Sequence, residues 1–232
     1  THIFIEAQRD PTVMIGGYLP LLQACHRVGK GDTILLESCE YCNSFLNFFP
    51  TTAVILDVDA DHLDFFKDLA DIQHSFRRFA QLVPANGQIV ANGDDANTAE
   101  ALRGMDYVTF GFRTENRVHW ANVSPDCRTF DIVCDGKTYC RVSLGVRGRH
   151  NALNALAAAA VAWLYGIAPE AVERGLHEFT GAGRRLEYKG RFNGADIYDD
   201  YAHHPHELHA LLETVKTMGY SRILCAFQPH TY

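Results

Sequence analysis

The 232-residue sequence has no apolar run approaching the roughly 20 residues that a membrane-spanning helix needs. Proline is scarce, with 8 residues, while 47% of the chain is hydrophobic and 11% aromatic, which excludes a disordered or low-complexity chain. Basic residues are not in excess either, because 21 Lys and Arg against 28 Asp and Glu give a net charge of −7. A mildly acidic, well-mixed chain disfavours nucleic acid or a membrane surface as a partner.

A phosphate-binding glycine loop is also lacking. That loop needs a Gly, four intervening residues and then Gly-Lys-Ser/Thr at the start of a helix. Gly136-Lys137-Thr138 has Asp131 where the first glycine should stand, and Gly29-Lys30-Gly31 lacks the hydroxyl residue. A nucleotide site within these residues must therefore use other groups.

The seven cysteines are odd in number and scattered, which does not indicate a disulfide framework. We expect reduced thiols that act as small core residues, and a cytoplasmic location. Cys39 and Cys42 have the spacing of a redox pair or of half a zinc site. No second Cys pair or His pair follows at zinc-finger spacing, so we interpret them as structural or incidental.

Apolar strands that alternate with helices predict an α/β fold with a mostly parallel sheet flanked by helices. The predicted strands of this sheet are 12–15, 32–37, 53–58 and 88–91. The 3.6-residue periodicity of 67–82 predicts an amphipathic helix. Short alternating segments within 107–145 predict an added antiparallel meander, and helices are expected at 151–165 and 168–178.

A glycine-rich linker near 181–183 separates this pattern from a second one. A strand at 195–199, a helix at 205–216 and a strand at 222–227 predict the opening β-α-β of a second domain. The chain starts at Thr1, without Met, in what resembles the end of a helix, so we expect both ends to be cuts within a longer protein.

Two groups of residues follow predicted strands and could bind a metal. Glu37 and the pair Asp61-His62 are expected beyond the carboxyl ends of neighbouring strands, where α/β folds bind ligands. A carboxylate and an imidazole at that edge could hold Mg²⁺ beside a phosphate. A solvated acidic loop is the alternative.

Two further groups could contact a nucleotide. His150-Asn151 opens a predicted helix, where Asn151 could act as the cap and Asn154, one turn on, could read a base edge. Arg184 and Arg185, in the glycine-rich linker, suit an anionic ligand because guanidinium offers paired donors to phosphate oxygens. The alternatives are a simple helix cap and an interdomain salt bridge.

The densest group is the segment 199–205, which combines two carboxylates, a phenol and two imidazoles just before a helix opened by Pro205. Adjacent residues rarely point the same way, which disfavours zinc bound by the His203-His204 pair. The fifth group, Gln228-Pro-His230, is uninformative on its own.

Together, and in this order, the groups resemble the Mur ligases of peptidoglycan synthesis, over essentially the whole chain. The residues that carry the resemblance are Glu37-Ser-Cys-Glu-Tyr, Asp61-His62-Leu-Asp, Gly148-Arg-His-Asn151-Ala-Leu-Asn154-Ala-Leu-Ala, Phe179-Thr-Gly-Ala-Gly-Arg184-Arg185, Asp199-Asp200-Tyr-Ala-His203-His204-Pro and Phe227-Gln-Pro-His230-Thr-Tyr. The resemblance implies a central ATP-binding domain over 1–186 without its phosphate loop, and the start of a dinucleotide-fold C-terminal domain over 187–232. It implies that an N-terminal UDP-substrate domain is absent from these residues.

The implied reaction is ATP-dependent formation of an amide between UDP-N-acetylmuramate and L-alanine, through an acyl phosphate and with Mg²⁺. By resemblance, the metal ligands are Glu37 and His62, and the catalytic residues are His62, Arg185 and Asp200. The implied nucleotide contacts are His150, Asn151, Asn154, Arg184, Arg185 and Asp200. The implied substrate contacts are His203 and His230.

Several departures from the family limit these expectations. The phosphate-loop lysine and the Mg²⁺-binding threonine are missing, and Asp57 stands where many relatives have Asn. We therefore expect the isolated chain to be inactive. The alternatives are a recycling ligase that attaches a tripeptide to UDP-N-acetylmuramate, the less similar folylpolyglutamate synthase, and a non-catalytic remnant that acts as an interaction domain.

Overall fold

The computed structural model describes residues 1–228. Within them lie six α-helices, which are α1 (His2–Glu6), α2 (Leu69–Gln81), α3 (Ala96–Ala101), α4 (Arg149–Leu164), α5 (Pro169–Glu178) and α6 (Pro205–Lys216). The eleven strands there are β1 (Thr12–Leu19), β2 (Ala24–Arg27), β3 (Ile34–Leu36), β4 (Thr52–Ile55), β5 (Gln88–Asn92), β6 (Val108–Gly111), β7 (Val118–Ala121), β8 (Thr129–Cys134), β9 (Lys137–Ser143), β10 (Glu187–Phe192) and β11 (Ala195–Asp199). A 3₁₀ segment spans Tyr41–Asn47.

The main sheet has six strands in the order β4-β5-β6-β7-β8-β9. Strands β4 to β7 pair in parallel, for example with Ala53 opposite Ile89, and β7 to β9 pair antiparallel. The predicted α/β class, with a mostly parallel sheet and an antiparallel meander, is therefore confirmed. Its parallel strands read as apolar runs because helices cover both faces.

Helix α4 packs on one face of this sheet. Seven of its residues are buried, six of them alanines, so the helix can approach the strands closely. Leu156 fills the contact together with Phe110 of β6 and Phe130 of β8, and all three are fully buried. Burying a side chain of this size contributes about 1.5–3 kcal/mol, so this layer is a main source of stability.

Helix α2 packs on the opposite face, where Ile72 joins Ile89 and Ala91 of β5, and it shows the predicted periodicity. Its N-cap Asp68 accepts a hydrogen bond from Asp71 N at 2.9 Å, which satisfies a free donor of the first turn. Phe79 stacks on Phe45 of the 3₁₀ segment, with 4.7 Å between ring centroids. This stacking fixes the chain that leads from Glu37 into β4.

A separate three-stranded sheet, ordered β2-β1-β3, corrects two expectations. The first strand does not stop at Gly16-Gly17 but continues to Leu19. β3 pairs with β1 and β4 pairs with β5, so the strands before Glu37 and His62 are not neighbours in one sheet. The sequence of β3 is apolar, as in a buried strand, but Ile34 and Leu36 are exposed.

The second region begins with the antiparallel hairpin of β10 and β11 and continues into α6. The helix starts at Pro205 as predicted. The predicted strand at 222–227 is wrong for the described structure, because the segment is in no ladder and Leu224 is 78% exposed. An apolar run forms a strand only when a neighbouring strand accepts its hydrogen bonds, and β11 pairs with β10 instead.

The structure contains no helix, among the residues described, with the length and hydrophobicity to cross a membrane. The seven cysteines are free, but only Cys134 and Cys140 are buried. The expectation that the thiols act as small core residues is wrong for the others, because Cys25, Cys39, Cys42 and Cys225 are exposed and Cys127 is half-buried.

Candidate active site

Glu37 lies directly after β3 and its side chain is held by the neighbouring strand. Its Oε2 accepts a hydrogen bond from Gly16 N at 2.7 Å, and its own N–H donates to Met14 O at 2.9 Å. A Cβ at position 16 would lie 3.0 Å from Glu37 Oε1, so the glycine gives the carboxylate room to lie against β1. The carboxylate is exposed and, within residues 1–228, has no cationic partner.

His62 lies in the loop after β4, with a left-handed backbone at φ 53°. Its Nε2 is 3.2 Å from Glu40 Oε1, and its ring packs on Tyr41 with 4.7 Å between centroids. Both neighbours belong to the segment that follows Glu37, so the loop and that segment are in contact. Glu40 and Tyr41 thus connect His62 to the segment after Glu37, whereas adjacent strands do not bring the two groups together.

An acidic cleft of about 230 Å³ lies beside His62, between the loop after β4 and the start of α6. Its lining residues are Glu40, Asp57, Asp59, Asp61, Ile72, Phe76, His204, His206 and Glu207. Asp57 keeps an exposed edge, but partial burial, together with the charges of Asp95, Asp59 and Glu40, raises its pKa above the usual value. The cleft therefore carries unbalanced negative charge, the environment that a cation favours.

A set of three potential metal ligands spans this cleft. Asp59, His204 and His206 each offer an atom, and these atoms lie within 4.8 Å of one another. Asp59 Oδ2 is 2.5 Å from His206 Nδ1. Among the described residues this is the one His, Cys, Asp or Glu group with such spacing.

The start of α4 differs in detail from its prediction. The helix begins at Arg149 with Gly148 as N-cap at φ 99°, a conformation that glycine adopts without strain. Asn151 is not the cap, since its side-chain amide donates to Arg147 O at 2.7 Å. Asn154 is exposed one turn on, and its amide has no hydrogen-bond partner among residues 1–228.

His150 lies within the electrostatic influence of Arg185 and Asp200, which belong to two other segments of the chain. Burial lowers the pKa of His150, the negative charge of Asp200 opposes this, and the charge of Arg185 adds to it. Asp200 is fixed by two backbone donors, Leu186 N at 2.6 Å and Ala202 N at 2.7 Å. Three of the residues implied in nucleotide binding thus share one electrostatic environment.

Both linker arginines are already paired with acids. Arg185 Nη1 donates to Glu207 Oε1 at 2.9 Å. Arg184 Nε is 3.4 Å from Asp199 Oδ2, and its guanidinium lies 4.6 Å from the centre of the Tyr201 ring. The salt-bridge alternative therefore describes the arginines in this structure.

Glu207 also organises the histidine segment. Its Oε2 accepts a hydrogen bond from His203 N at 3.1 Å, and His203 Nδ1 is 3.1 Å from Tyr201 O. Partial burial alone would raise the pKa of Glu207, but hydrogen bonds from Arg185 and His203 outweigh it and lower the pKa. His230, the other expected substrate contact, lies outside the described residues.

The sequence matches two family descriptions in chain order. Residues 29–162 match the Mur ligase middle domain, and residues 184–231 match the Mur ligase, glutamate ligase domain. The chain is a member of the Mur ligase family.

The chain is similar in sequence to named members of this family. It is 43% identical over 235 residues to the UDP-N-acetylmuramate--L-alanine ligase of Caldanaerobacter subterraneus subsp. tengcongensis, covering 99% of this chain and 51% of that protein. It is 40% identical over 237 residues to the ligase of the same name from Clostridium perfringens, covering 100% and 52%. The chain thus spans about half the length of the curated relatives it matches.

Solved structures agree with this placement. The crystal structure of the UDP-N-acetylmuramate-alanine ligase MurC from Thermotoga maritima has a TM-score of 0.78 at 28% identity, over 93% of this chain and 49% of that one. The UDP-N-acetylmuramate:L-alanyl-gamma-D-glutamyl-meso-diaminopimelate ligase from Neisseria meningitides has a TM-score of 0.69 at 27% identity, over 78% and 61%.

The fold places His62 beside Glu40 and close to the acidic cleft, and it places His150 within the electrostatic influence of Arg185 and Asp200. Sequence reasoning missed the partners that fix them, Glu40 and Glu207. Glu207 had a readable signal, because an acid at the third residue of a helix commonly returns to the preceding backbone N–H groups. Glu40 had none, since its role depends on the irregular segment after β3.

Proposed function

We propose that the protein containing this chain is an ADP-forming ligase that joins L-alanine to UDP-N-acetylmuramate in peptidoglycan precursor synthesis. The structural observation that supports this most directly is that Asp200 binds the backbone next to Arg185, through Leu186 N at 2.6 Å, and that both charges act on His150. The chain's identity of 39–43% to ligases of this name over nearly its whole length agrees with it. In this proposal, the residues that bind the nucleotide and the metal ions belong to this chain.

Glu37 and His62 would hold Mg²⁺. The exposed carboxylate of Glu37 has one oxygen bonded to a backbone N–H and retains lone pairs for a cation, and oxygen is the ligand that Mg²⁺ prefers. His62, fixed by Glu40 and Tyr41, would serve the second metal. When bound, Mg²⁺ supplies neutralisation of charge on the phosphate oxygens.

The start of α4 and the linker would bind ATP. Asn154 presents an amide without a protein partner in the described chain, which suits hydrogen bonding to a base edge, with His150 and Asn151 beside it. Arg185 and Arg184 would contact the phosphates, and Asp200 would hold the linker in place beside them. The substrate carboxylate would be met by His203 and His230.

In the proposed reaction, a carboxylate oxygen of the muramoyl group attacks the γ-phosphorus and ADP leaves. The amine of L-alanine then attacks the resulting acyl carbon, loses a proton, and phosphate departs as the amide forms. Arg185 lowers the energy of the phosphoryl-transfer state by placing a positive charge beside the equatorial oxygens. His62 would hold the second metal ion, whose charge would stabilise the reacting anions.

We further propose that 1–186 forms the central ATP-binding domain and 187–232 the start of the C-terminal domain. The two family matches, which are separated by residues 163–183, support a boundary in the linker. Because ATP and a UDP-sugar are cytoplasmic metabolites, we propose a cytoplasmic location.

The test measures phosphate release by the complete protein that contains this chain. Release that requires ATP, UDP-N-acetylmuramate and L-alanine together is expected, and the 232-residue chain alone should be inactive because it has no phosphate loop. Glu37→Gln should abolish turnover, whereas Glu115→Gln, a matched change at an exposed acid elsewhere, should not. Phosphate release without L-alanine, or full activity of the Glu37 variant, would contradict the proposal.

Likeness to the Neisseria enzyme keeps the tripeptide-adding reaction as the second candidate. A competition assay that offers L-alanine and the tripeptide L-alanyl-γ-D-glutamyl-meso-diaminopimelate to the complete protein separates the two. We expect L-alanine to be the preferred acceptor, and exclusive use of the tripeptide would reverse the assignment.

A further inference from the structure

We propose that Asp59, His204 and His206 form a binding site for a borderline divalent metal ion of the Zn²⁺ class, distinct from the magnesium positions of the ligase reaction. The three ligand atoms lie within 4.8 Å of one another, across the acidic cleft. Two imidazoles and one carboxylate, with a fourth position open, are a donor set that Zn²⁺ uses in proteins. Mg²⁺ prefers oxygen donors and is poorly served by two imidazoles.

The spacing permits an ion after small side-chain movements. A tetrahedral Zn²⁺ with bonds of about 2.0–2.2 Å holds its ligand atoms about 3.3–3.6 Å apart. That spacing lies between the 2.5 Å that separates Asp59 Oδ2 from His206 Nδ1 and the 4.8 Å limit of the cluster. Asp59 Oδ1 accepts a hydrogen bond from Ala60 N at 2.8 Å, so the carboxylate is already oriented with Oδ2 toward the imidazole.

One existing contact competes with the metal. His204 Nδ1 accepts a hydrogen bond from His206 N at 3.4 Å, which is long for such a bond. Metal binding through Nδ1 uses the same lone pair, and binding through Nε2 moves the ring proton to Nδ1, so the bond is lost either way. Glu207 continues to accept from His203 N and His204 N, and the start of α6 stays capped.

The carboxylates around the three ligands favour a cation, and the positions of the ligands in the chain indicate which segments it would link. Glu40, Asp57, Asp61 and Glu207 also line the cleft, and their carboxylates create a negative potential at its mouth. Asp59 belongs to the loop after β4, whereas both histidines belong to the start of α6. A bound ion would therefore tie the loop of the main sheet to the second region of the chain.

The test is a titration of metal-free 232-residue protein with Zn²⁺ in competition with a chromophoric chelator, in millimolar Mg²⁺. We expect one ion per chain, and at least about 10-fold weaker binding in Asp59→Asn and in His206→Gln. His177→Gln is the matched control, because this exposed histidine contacts Ser143 O and is remote in sequence from the cluster. Circular dichroism checks that each variant is folded.

Two readouts decide the ligands and the consequence. Because seven free cysteines are present, binding to thiolates must be distinguished from binding to the proposed site. Co²⁺ at the proposed site should give the visible bands of a four-coordinate ion without the near-ultraviolet bands of cobalt–thiolate bonds. Zn²⁺ should slow amide hydrogen exchange at the start of α6 in the parent and not in His206→Gln. Thiolate bands, or variants that bind Zn²⁺ as tightly as the parent, would overturn the proposal.

Discussion

Replacing Asp200 with Asn is expected to weaken the junction between the linker and β11. The carboxylate accepts hydrogen bonds from Leu186 N at 2.6 Å and Ala202 N at 2.7 Å, one with each oxygen. An amide has one oxygen, so Asn satisfies one donor and turns its own N–H₂ toward the other. An N–H left without an acceptor costs about 1–3 kcal/mol, and because the site is half-buried we expect a loss of about 1–2 kcal/mol.

The same change should lower the pKa of His150. Burial already holds this pKa below 6.5, and Asp200 is the charge that opposes the effect. A histidine with a lowered folded-state pKa loses stability as the pH falls below its unfolded value, because the unfolded chain takes up the proton first. The destabilisation by Asp200→Asn should therefore grow as the pH falls below about 6.5.

Urea unfolding at neutral and mildly acidic pH measures the loss of unfolding free energy, and NMR titration of the His150 ring measures the change in its pKa. Asp199→Asn is the matched control, since its carboxylate contacts only the largely exposed Arg184, at 3.4 Å, among ion pairs found in residues 1–228. That variant should change stability by less than about 0.5 kcal/mol. Equal destabilisation by the two variants, or a His150 pKa that rises in Asp200→Asn, would refute the reasoning.

Two more predictions concern the central region. Partial burial alone would raise the pKa of Asp94, but hydrogen bonds from Phe112 N, Asn116 and Arg113 lower it. The ionised carboxylate therefore stabilises the fold at pH values above its unfolded pKa, and this stabilisation is lost as the pH falls through the folded pKa. Asp94→Asn should cost about 1–3 kcal/mol at pH 7, measured by urea unfolding, with the difference from the parent shrinking in strong acid; a pH-independent difference would contradict this. Gly16→Ala should raise about 10-fold the Mg²⁺ concentration that the complete protein needs for half-maximal ligase activity, because the methyl group would lie 3.0 Å from the Glu37 carboxylate. An unchanged Mg²⁺ requirement would show that this carboxylate has no metal role.

The sheet could be predicted from the sequence where burial is complete. Strand β5 is apolar because both of its faces are covered, so that four of its five residues are buried. The meander alternates because its strands are covered unequally, as β8 shows. The short strand β2 was missed, since its exposed Cys and His residues have no apolar pattern. The strand at 222–227 was predicted from an apolar run, and only its missing partner in the described structure explains the error.

The candidate site likewise combines features that local sequence predicts with contacts that it does not. Residues held by local rules, such as His204 before Pro205 at the start of α6, were readable from sequence. Contacts between distant segments were not, because no spacing indicates that Asp59 meets His206. Nor could the sequence show that the segment after Glu37, with left-handed Cys42 and Asn43, brings Glu40 to His62.

The pairing of Arg185 with Glu207 bears on how a nucleotide would enter. The arginine is largely exposed in this ion pair, and exposed pairs contribute about 0–1 kcal/mol. A phosphate offers charge-assisted, paired hydrogen bonds that are stronger than this, so exchange of Glu207 for a phosphate costs little. Glu207 would keep its bonds from His203 N and His204 N, and α6 would remain capped while the arginine turns away. If the proposed function is correct, Glu207 would hold the Arg185 guanidinium within the electrostatic range of His150 until a phosphate replaces the carboxylate.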